Sequence, residues 1–151
     1  MEIQTHIHTL RDGTSLSLRP LRPSDRHLVA AGFDSLSQES RYRRFMTPTS
    51  RLTHRQLDYF THVDQIDHFA WGVLGPMERP VATARYVRLD NTPTIAELAV
   101  TVVDEFQGRG VGSFLVSATA LAAHRNRIEL LRAHVLADND RMLGVLEGFG
   151  G

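Results

Sequence analysis

The sequence predicts an α+β domain of the three-layer type, a mixed and mostly antiparallel sheet flanked by helices. Three observations lead there. Apolar runs at 68–74, 81–89 and 94–103 are separated only by short turns, the pattern of an antiparallel meander. Segments before and after the meander carry apolar residues three and four apart, as helices with one buried stripe do. Between the meander and the long helix, residues 107–112 read Gln-Gly-Arg-Gly-Val-Gly, so a strand passes into a helix through a glycine-dense turn.

In chain order, Ser15 to Arg19 alternates through Leu16 and Leu18, a short strand ended by Pro20. Ser24-Asp25 reads as the cap of a first helix carrying Leu28, Val29 and Phe33. Ser37, with Glu39 in the first turn, starts a second helix leading to Tyr42 and Phe45. Met46 to Ser50 is a loop around Pro48. Thr53 caps a third helix through Phe60, with Leu57 inward. After the meander, Val111, Phe114, Leu115, Ala118, Leu121 and Ala122 trace the buried stripe of the long helix. Glu129 to Leu136 is a last strand, and Asn139 opens a final helix with Met142, Leu143 and Leu146 that stops at Gly148.

The 151 residues read as a single domain, 1–151, large enough for its own core. Seventeen basic residues offset seventeen acidic ones. No net field therefore draws nucleic acid or an anionic membrane, and any anion is held by local groups. The lack of cysteine excludes disulfides, thiolate metal sites and a cysteine nucleophile. His6, His8, His54, His62 and His68 lack metal-ligand spacing, so no metal is expected. Met1 to His6 lacks a basic region followed by an apolar stretch, and no eighteen apolar residues run together, which makes a cytoplasmic location the expectation. Every basic residue is arginine and none is lysine, as codon bias in a GC-rich genome would produce.

The glycine turn is where this chain can grip an anion. A helix start leaves amides without intrahelical acceptors and carries partial positive charge, so a diphosphate seated there is stabilised without any lysine. Gly108, Gly110 and Gly112 let the backbone come close. The P-loop requires Gly-x-x-x-x-Gly-Lys-Ser/Thr, and the dinucleotide fingerprint Gly-x-Gly-x-x-Gly with an acidic residue about twenty positions on. Neither fits, because the glycines alternate, Ser113 holds the third glycine's place and no lysine follows. The bland alternative is a turn that binds nothing. Gln107-Gly108-Arg109-Gly110-Val111-Gly112 resembles the Gln/Arg-x-x-Gly-x-Gly/Ala signature of the GNAT superfamily of N-acetyltransferases. The order strand, helices, meander, helix, strand, helix is similar to the GNAT fold over nearly the whole chain. That resemblance implies acetyl-CoA as cosubstrate, its diphosphate on the loop from Gln107 to Ser113. It also implies two closing strands after the final helix, whereas this sequence ends Glu-Gly-Phe-Gly-Gly. The expectation is a chain short of those strands, with an open sheet edge free to pair with a second copy; a strict monomer in light scattering at high concentration would contradict it.

Transfer of acetyl to an amine is limited by the amine's proton. With a lysine pKa of about 10.4, roughly one molecule in a few thousand is neutral at pH 7. A carboxylate beside the acceptor can remove that proton as attack proceeds. Glu97 is the candidate, set in the apolar run Ile95 to Val100, ten residues before Gln107. Alternation puts Glu97, Ala99, Thr101 and Val103 on one face and Leu98, Val100 and Val102 on the other, and half-burial there should raise the carboxyl pKa. Read structurally instead, Glu97 pairs with an arginine such as Arg85 on the neighbouring strand.

Ala96-Glu97-Leu-Ala-Val, its spacing to the loop, and the stretch Leu36 to Phe45 resemble bacterial Pat-type protein lysine acetyltransferases. This resemblance implies Glu97 as general base, an accessible protein lysine as acceptor, and the backbone of Val100, Thr101 and Val102 bonding the pantetheine arm like an added strand, to within one residue. Asn139, equally explained as a plain helix cap, stands where GNAT enzymes often place an asparagine near the cofactor. A tyrosine that reprotonates the departing thiolate in many relatives has no counterpart in Arg141 to Glu147, so the acid step is unassigned. Arg41, Arg43, Arg44, Arg51 and Arg55 form either a solvated helix face or a contact for an acidic substrate surface or the CoA 3′-phosphate. Two other functions stay open, acetylation of a small amine and a catalytically silent CoA-sensing module. For a lysine acetyltransferase the missing lysines gain a second meaning, since it would have no side chain of its own to modify.

Overall fold

A computed structural model describes residues 5–47, 49–134 and 139–149. Six strands form one sheet in chain order: β1 (His6–Thr9), β2 (Ser15–Pro20), β3 (His68–Leu74), β4 (Pro80–Arg88), β5 (Ile95–Val102) and β6 (Leu130–Arg132). Pairing is antiparallel from β1 to β5 and parallel between β5 and β6. Helices α1 (Arg26–Asp34), α2 (Gln38–Phe45) and α3 (His54–Thr61) lie between β2 and β3 in the chain; α4 (Val111–Arg125) joins β5 to β6, and α5 (Asp140–Glu147) follows. The α+β reading therefore holds, with a meander longer than expected. β1 has no counterpart in the sequence reading, because His6-Ile-His-Thr9 offers a single apolar residue to read. Among the described residues, no helix is long and apolar enough to cross a membrane.

The two faces of the sheet are covered differently. Thr83, Arg85 and Thr101 face α1 to α3, where Phe45 packs edge to face on Phe33 and tilted against Phe60. On the other face lie Ala84, Tyr86, Ala96 and Leu98, against which α4 packs. Tyr86 ties this side together, its hydroxyl donating to the Ile66 carbonyl at 2.7 Å and accepting from Asn126 at the end of α4 at 2.6 Å.

Two local expectations need correction. Leu121 is not part of the buried stripe of α4; it is 54% exposed, while Thr119 is fully buried. Thr119 can be there because its hydroxyl donates to the Leu115 carbonyl at 2.7 Å, leaving no unpaired polar group. Asp25 does not cap α1 with its side chain either. Its buried carboxylate turns back to take both Arg19 nitrogens, at 2.7 and 2.8 Å, and the Arg22 amide at 2.8 Å. Burial alone would raise its pKa, but those donors outweigh it and hold the group below the ordinary carboxylate range. A depressed folded-state pKa adds stability above the unfolded value and loses it as pH falls. Asp25→Asn thus costs about 3 kcal/mol at pH 7, and the gap from wild type narrows below about pH 4; urea melts at pH 7 and pH 3 measure both.

Ser37 and Thr53 cap α2 and α3 as read, accepting from the Ser40 and Gln56 amides at 3.1 Å. Pro48 and the segment 135–138 lie outside the described residues; of the strand expected over Glu129 to Leu136, only Leu130–Arg132 is strand among those described.

Candidate active site

The sheet opens between β5 and β6. Their pairing covers only Ile95 to Glu97 against Leu130 to Arg132. Beyond Glu97 that edge of β5 has no strand partner among the described residues. The Val103 amide donates to Val81 and the Leu89 amide to Ile95, so odd residues of β5 bond to β4 and even ones point to the open edge. Val100 and Val102 therefore present their main chain to the opening. Thr101 does not. Its backbone is paired with Thr83, and it contributes only its side chain to the wall, which corrects the expectation for its main chain.

A cleft of about 460 Å³ runs along this edge to the start of α4. Val100, Thr101, Val102, Gln107, Gly108, Gly110, Gly112, Ser113 and Asn139 all line it, so most of the residues singled out in the sequence converge. Gly108 and Gly110 have φ of +72° and +87°, a left-handed backbone that side chains resist, and Gly110 is the N-cap of α4. Having no side chain, it cannot cap the helix; the first backbone bond runs from Phe114 to Gly110, leaving the amides of Val111, Gly112 and Ser113 ahead of it. Val111 offers only that amide, since its side chain is buried in the core. The Arg109 side chain also turns away. It bonds Asp12 at 2.5 Å and Thr14 at 3.3 Å and stacks over Phe106 at 4.5 Å, anchoring the loop to the β1–β2 turn.

Gln107 is a strut. Its Nε2 donates to the Val102 carbonyl at 2.9 Å and to Ser40 Oγ at 3.1 Å, and its Oε1 accepts from Arg141 at 2.9 Å. One amide thus ties β5, α2 and α5 around the cleft. Ser40 and Arg141 escaped the sequence reading because they sit 67 and 34 residues from Gln107. Asn139 caps α5, accepting from the Met142 amide at 3.4 Å.

Glu97 lines a second chamber, also about 460 Å³, with Gln56, Tyr59, Arg85, Val87, Ala99 and His134. The two chambers share Arg43, Arg44, Val100 and Met142, so they meet at the middle of β5. The Glu97 side chain is 47% exposed, open to solvent over about half its surface. Nor does it pair with Arg85, for the register sets Glu97 opposite Val87 and Arg85 opposite Ala99. Its neighbour is His134 Nε2, 3.4 Å from Oε1. His134 follows β6 and reaches Glu97 through the parallel pairing, a relation no local pattern reveals. Among the described residues, no three His, Asp or Glu side chains gather as a metal site would require.

Residues 15–151 match the family described as acetyltransferase (GNAT) domain. The acetyltransferase Pat of Mycolicibacterium smegmatis is 39% identical over 145 residues, which are 93% of this chain and 42% of that protein. The chain thus spans less than half the length of that relative. The crystal structure of the GNAT domain of S. lividans PAT superposes with a TM-score of 0.91 at 33% identity, covering 97% of this chain and 86% of that one. The yncA protein of Salmonella typhimurium, solved with its cofactor acetyl-CoA, shares the fold at a TM-score of 0.73 and 14% identity, over 89% of this chain and 78% of that one. In sequence and in fold alike, this chain belongs to the GNAT family of acetyltransferase domains.

Proposed function

We propose that this chain transfers acetyl from acetyl-CoA to a protein lysine, with Glu97 as general base. The observation that carries the reading is the junction at Val100. A cleft floored by helix-start amides meets there a chamber that holds a carboxylate. The fit to acetyl-CoA rests on three features. The amides from Gly108 to Ser113 and the positive end of α4 suit a diphosphate. The main chain of Val100 and the amide of Val102, whose carbonyl Gln107 already takes, suit a pantetheine arm that adds as a strand. Asn139 and the side chain of Thr101 close the walls, while Gln107 fixes the loop from behind.

Acetyl-CoA supplies the acetyl thioester, and with no cysteine in the sequence to carry an acyl group the transfer is direct. Glu97 accepts the proton of the acceptor ammonium, directly or through one water, and His134 orients one of its oxygens. The thiolate leaves without a protein acid. The setting we propose is cytoplasmic, with a second copy at the β6 edge as the self-association that edge favours.

Intact-mass spectrometry after incubation with acetyl-CoA and a lysine-bearing acceptor protein tests the assignment. Acetyl groups accumulate on acceptor lysines, while this chain, having no lysine, gains one at most, on its N-terminal amine. An acceptor that stays unmodified, with acetyl-CoA bound, removes the lysine acetyltransferase reading.

A further inference from the structure

The chamber around Glu97 carries more positive charge than an amine acceptor calls for. Arg85 is 4% exposed. Its Nη1 donates to the Phe60 carbonyl and to His68 Nε2, each at 3.0 Å, and neither partner is an anion. His68 stays neutral, since burial first and the charge of Arg85 second push it down to about 4. Arg44 lies across the Phe60 ring from the same chamber, its Cζ 5.8 Å from the ring centre against 4.6 Å for Arg85. Among the described residues, neither guanidinium has a carboxylate within salt-bridge distance.

Among the described residues Arg85 is the one fully buried arginine, whereas better exposed arginines do have carboxylates beside them. Arg19, Arg26, Arg43, Arg79, Arg88 and Arg109 all have acidic partners, including Arg43 in the wall of this very chamber, matched by Glu39 at 2.7 Å. Leaving a buried guanidinium without a counter-ion is costly, and the cost is recovered when an anion arrives. Burial, then the nearness of Arg44, push Arg85 down to about 9, which leaves it charged at neutral pH. An acceptor ammonium engaged by Glu97 uses the one carboxylate of the lining, and two cations are left over.

Resting on the lysine acetyltransferase reading, we propose that Arg44 and Arg85 form a carboxylate site inside the acceptor chamber, so that the favoured lysine is one with an aspartate or glutamate beside it. The register supports the spacing. Arg85 and Glu97 are diagonal neighbours on one face of β4 and β5, a separation of about 7–8 Å. Side chains two residues apart on an extended peptide stand about 7 Å apart, so lysine and an acidic residue at that spacing meet both groups at once. Arg44 and Arg85 both line the chamber on the side of Phe60; Arg85 is absent from the diphosphate cleft, while Arg44 stands where the two chambers meet.

Peptide pairs that differ only in Asp or Asn two residues from the lysine test this through two readouts, kcat/KM for acetylation and peptide Kd for the CoA-saturated protein. The expected preference for Asp is about tenfold in both, the ordinary worth of a charged hydrogen bond. Arg44→Gln and Arg85→Gln each bring the Asp/Asn ratio below about two, and Arg85→Lys retains part of it. Should Arg85→Gln fail to fold, Arg44→Gln, at a less buried position, carries the test. Equal acetylation of both peptides overturns the carboxylate site and leaves the lysine reading intact. Arginine-dependent binding of the Asp peptide without acetylation does the reverse. A preference of the arginines for succinyl-CoA over acetyl-CoA, with no peptide preference, also overturns the proposal by assigning the anion to the acyl group.

Discussion

Glu97→Gln lowers kcat for lysine acetylation by about a hundredfold or more while acetyl-CoA affinity stays within about twofold of wild type, the signature of a lost general base. The separation of the two effects follows from the architecture. Glu97 lines the chamber beyond Val100 and is absent from the lining of the diphosphate cleft. Glutamine keeps the size and one hydrogen-bonding oxygen, so His134 retains a neighbour and β5 keeps its register with β4 and β6. What disappears is the ability to take a proton. The residual rate should then follow the free amine alone, rising about tenfold per pH unit up to the lysine pKa of about 10.4. Stopped-flow detection of released CoA thiol from pH 6 to 10, alongside calorimetry of acetyl-CoA binding, measures both effects. Unchanged kcat in the variant removes Glu97 from the mechanism, and lost acetyl-CoA binding shows its role to be structural.

What the sequence made legible was whatever chemistry is local. The apolar runs of β3, β4 and β5 were readable because β3 pairs with β4, and β4 with β5, across a short turn. The cradle was readable for a related reason: the positive φ of Gly108 and Gly110 is a backbone requirement that glycine alone announces. Failures came where a residue's environment is built from far away. Glu97 stood out as a carboxylate in an apolar run, yet what stands beside it depends on how β6 runs from β5, and strand alternation does not contain that information. The same holds for Thr101. Alternation assigns its side chain to a face, but which of its edges is already bonded becomes visible only once the neighbour β4 is known to occupy it. Thr119, not named in the sequence reading, takes the buried place expected of Leu121, because a threonine that bonds back to its own helix behaves as an apolar residue. Asp25 looks like a cap in sequence, and becomes an ion-pair partner only when Arg19, on the preceding strand, comes within reach.

Gly112→Asp separates stability from binding more sharply than any change at the two left-handed glycines, where strain would weaken both. Gly112 is the second residue of α4 and has no positive φ, and a Cβ there meets Val145 at 3.8 Å, an ordinary contact. An aspartate in the first turn faces the positive end of the helix and replaces the worst helix former after proline, so the fold gains about 0.5–1 kcal/mol. The same carboxylate stands in the cleft beside the amides of Val111 and Ser113. It satisfies the positive potential that a diphosphate would otherwise use, and it adds like-charge repulsion, which at about 4 Å near a protein surface amounts to several kcal/mol. Acetyl-CoA affinity should fall by about a hundredfold or more, while the thermal midpoint holds or rises. Calorimetric titration and a thermal melt on one preparation decide the point: if affinity survives in a protein that melts as high as wild type, the start of α4 is not where the anion sits. A fall in both would show instead that the glycine serves the packing of α5 against α4. The two outcomes are opposite in sign for stability, which is what makes position 112 the sharper probe of the cradle.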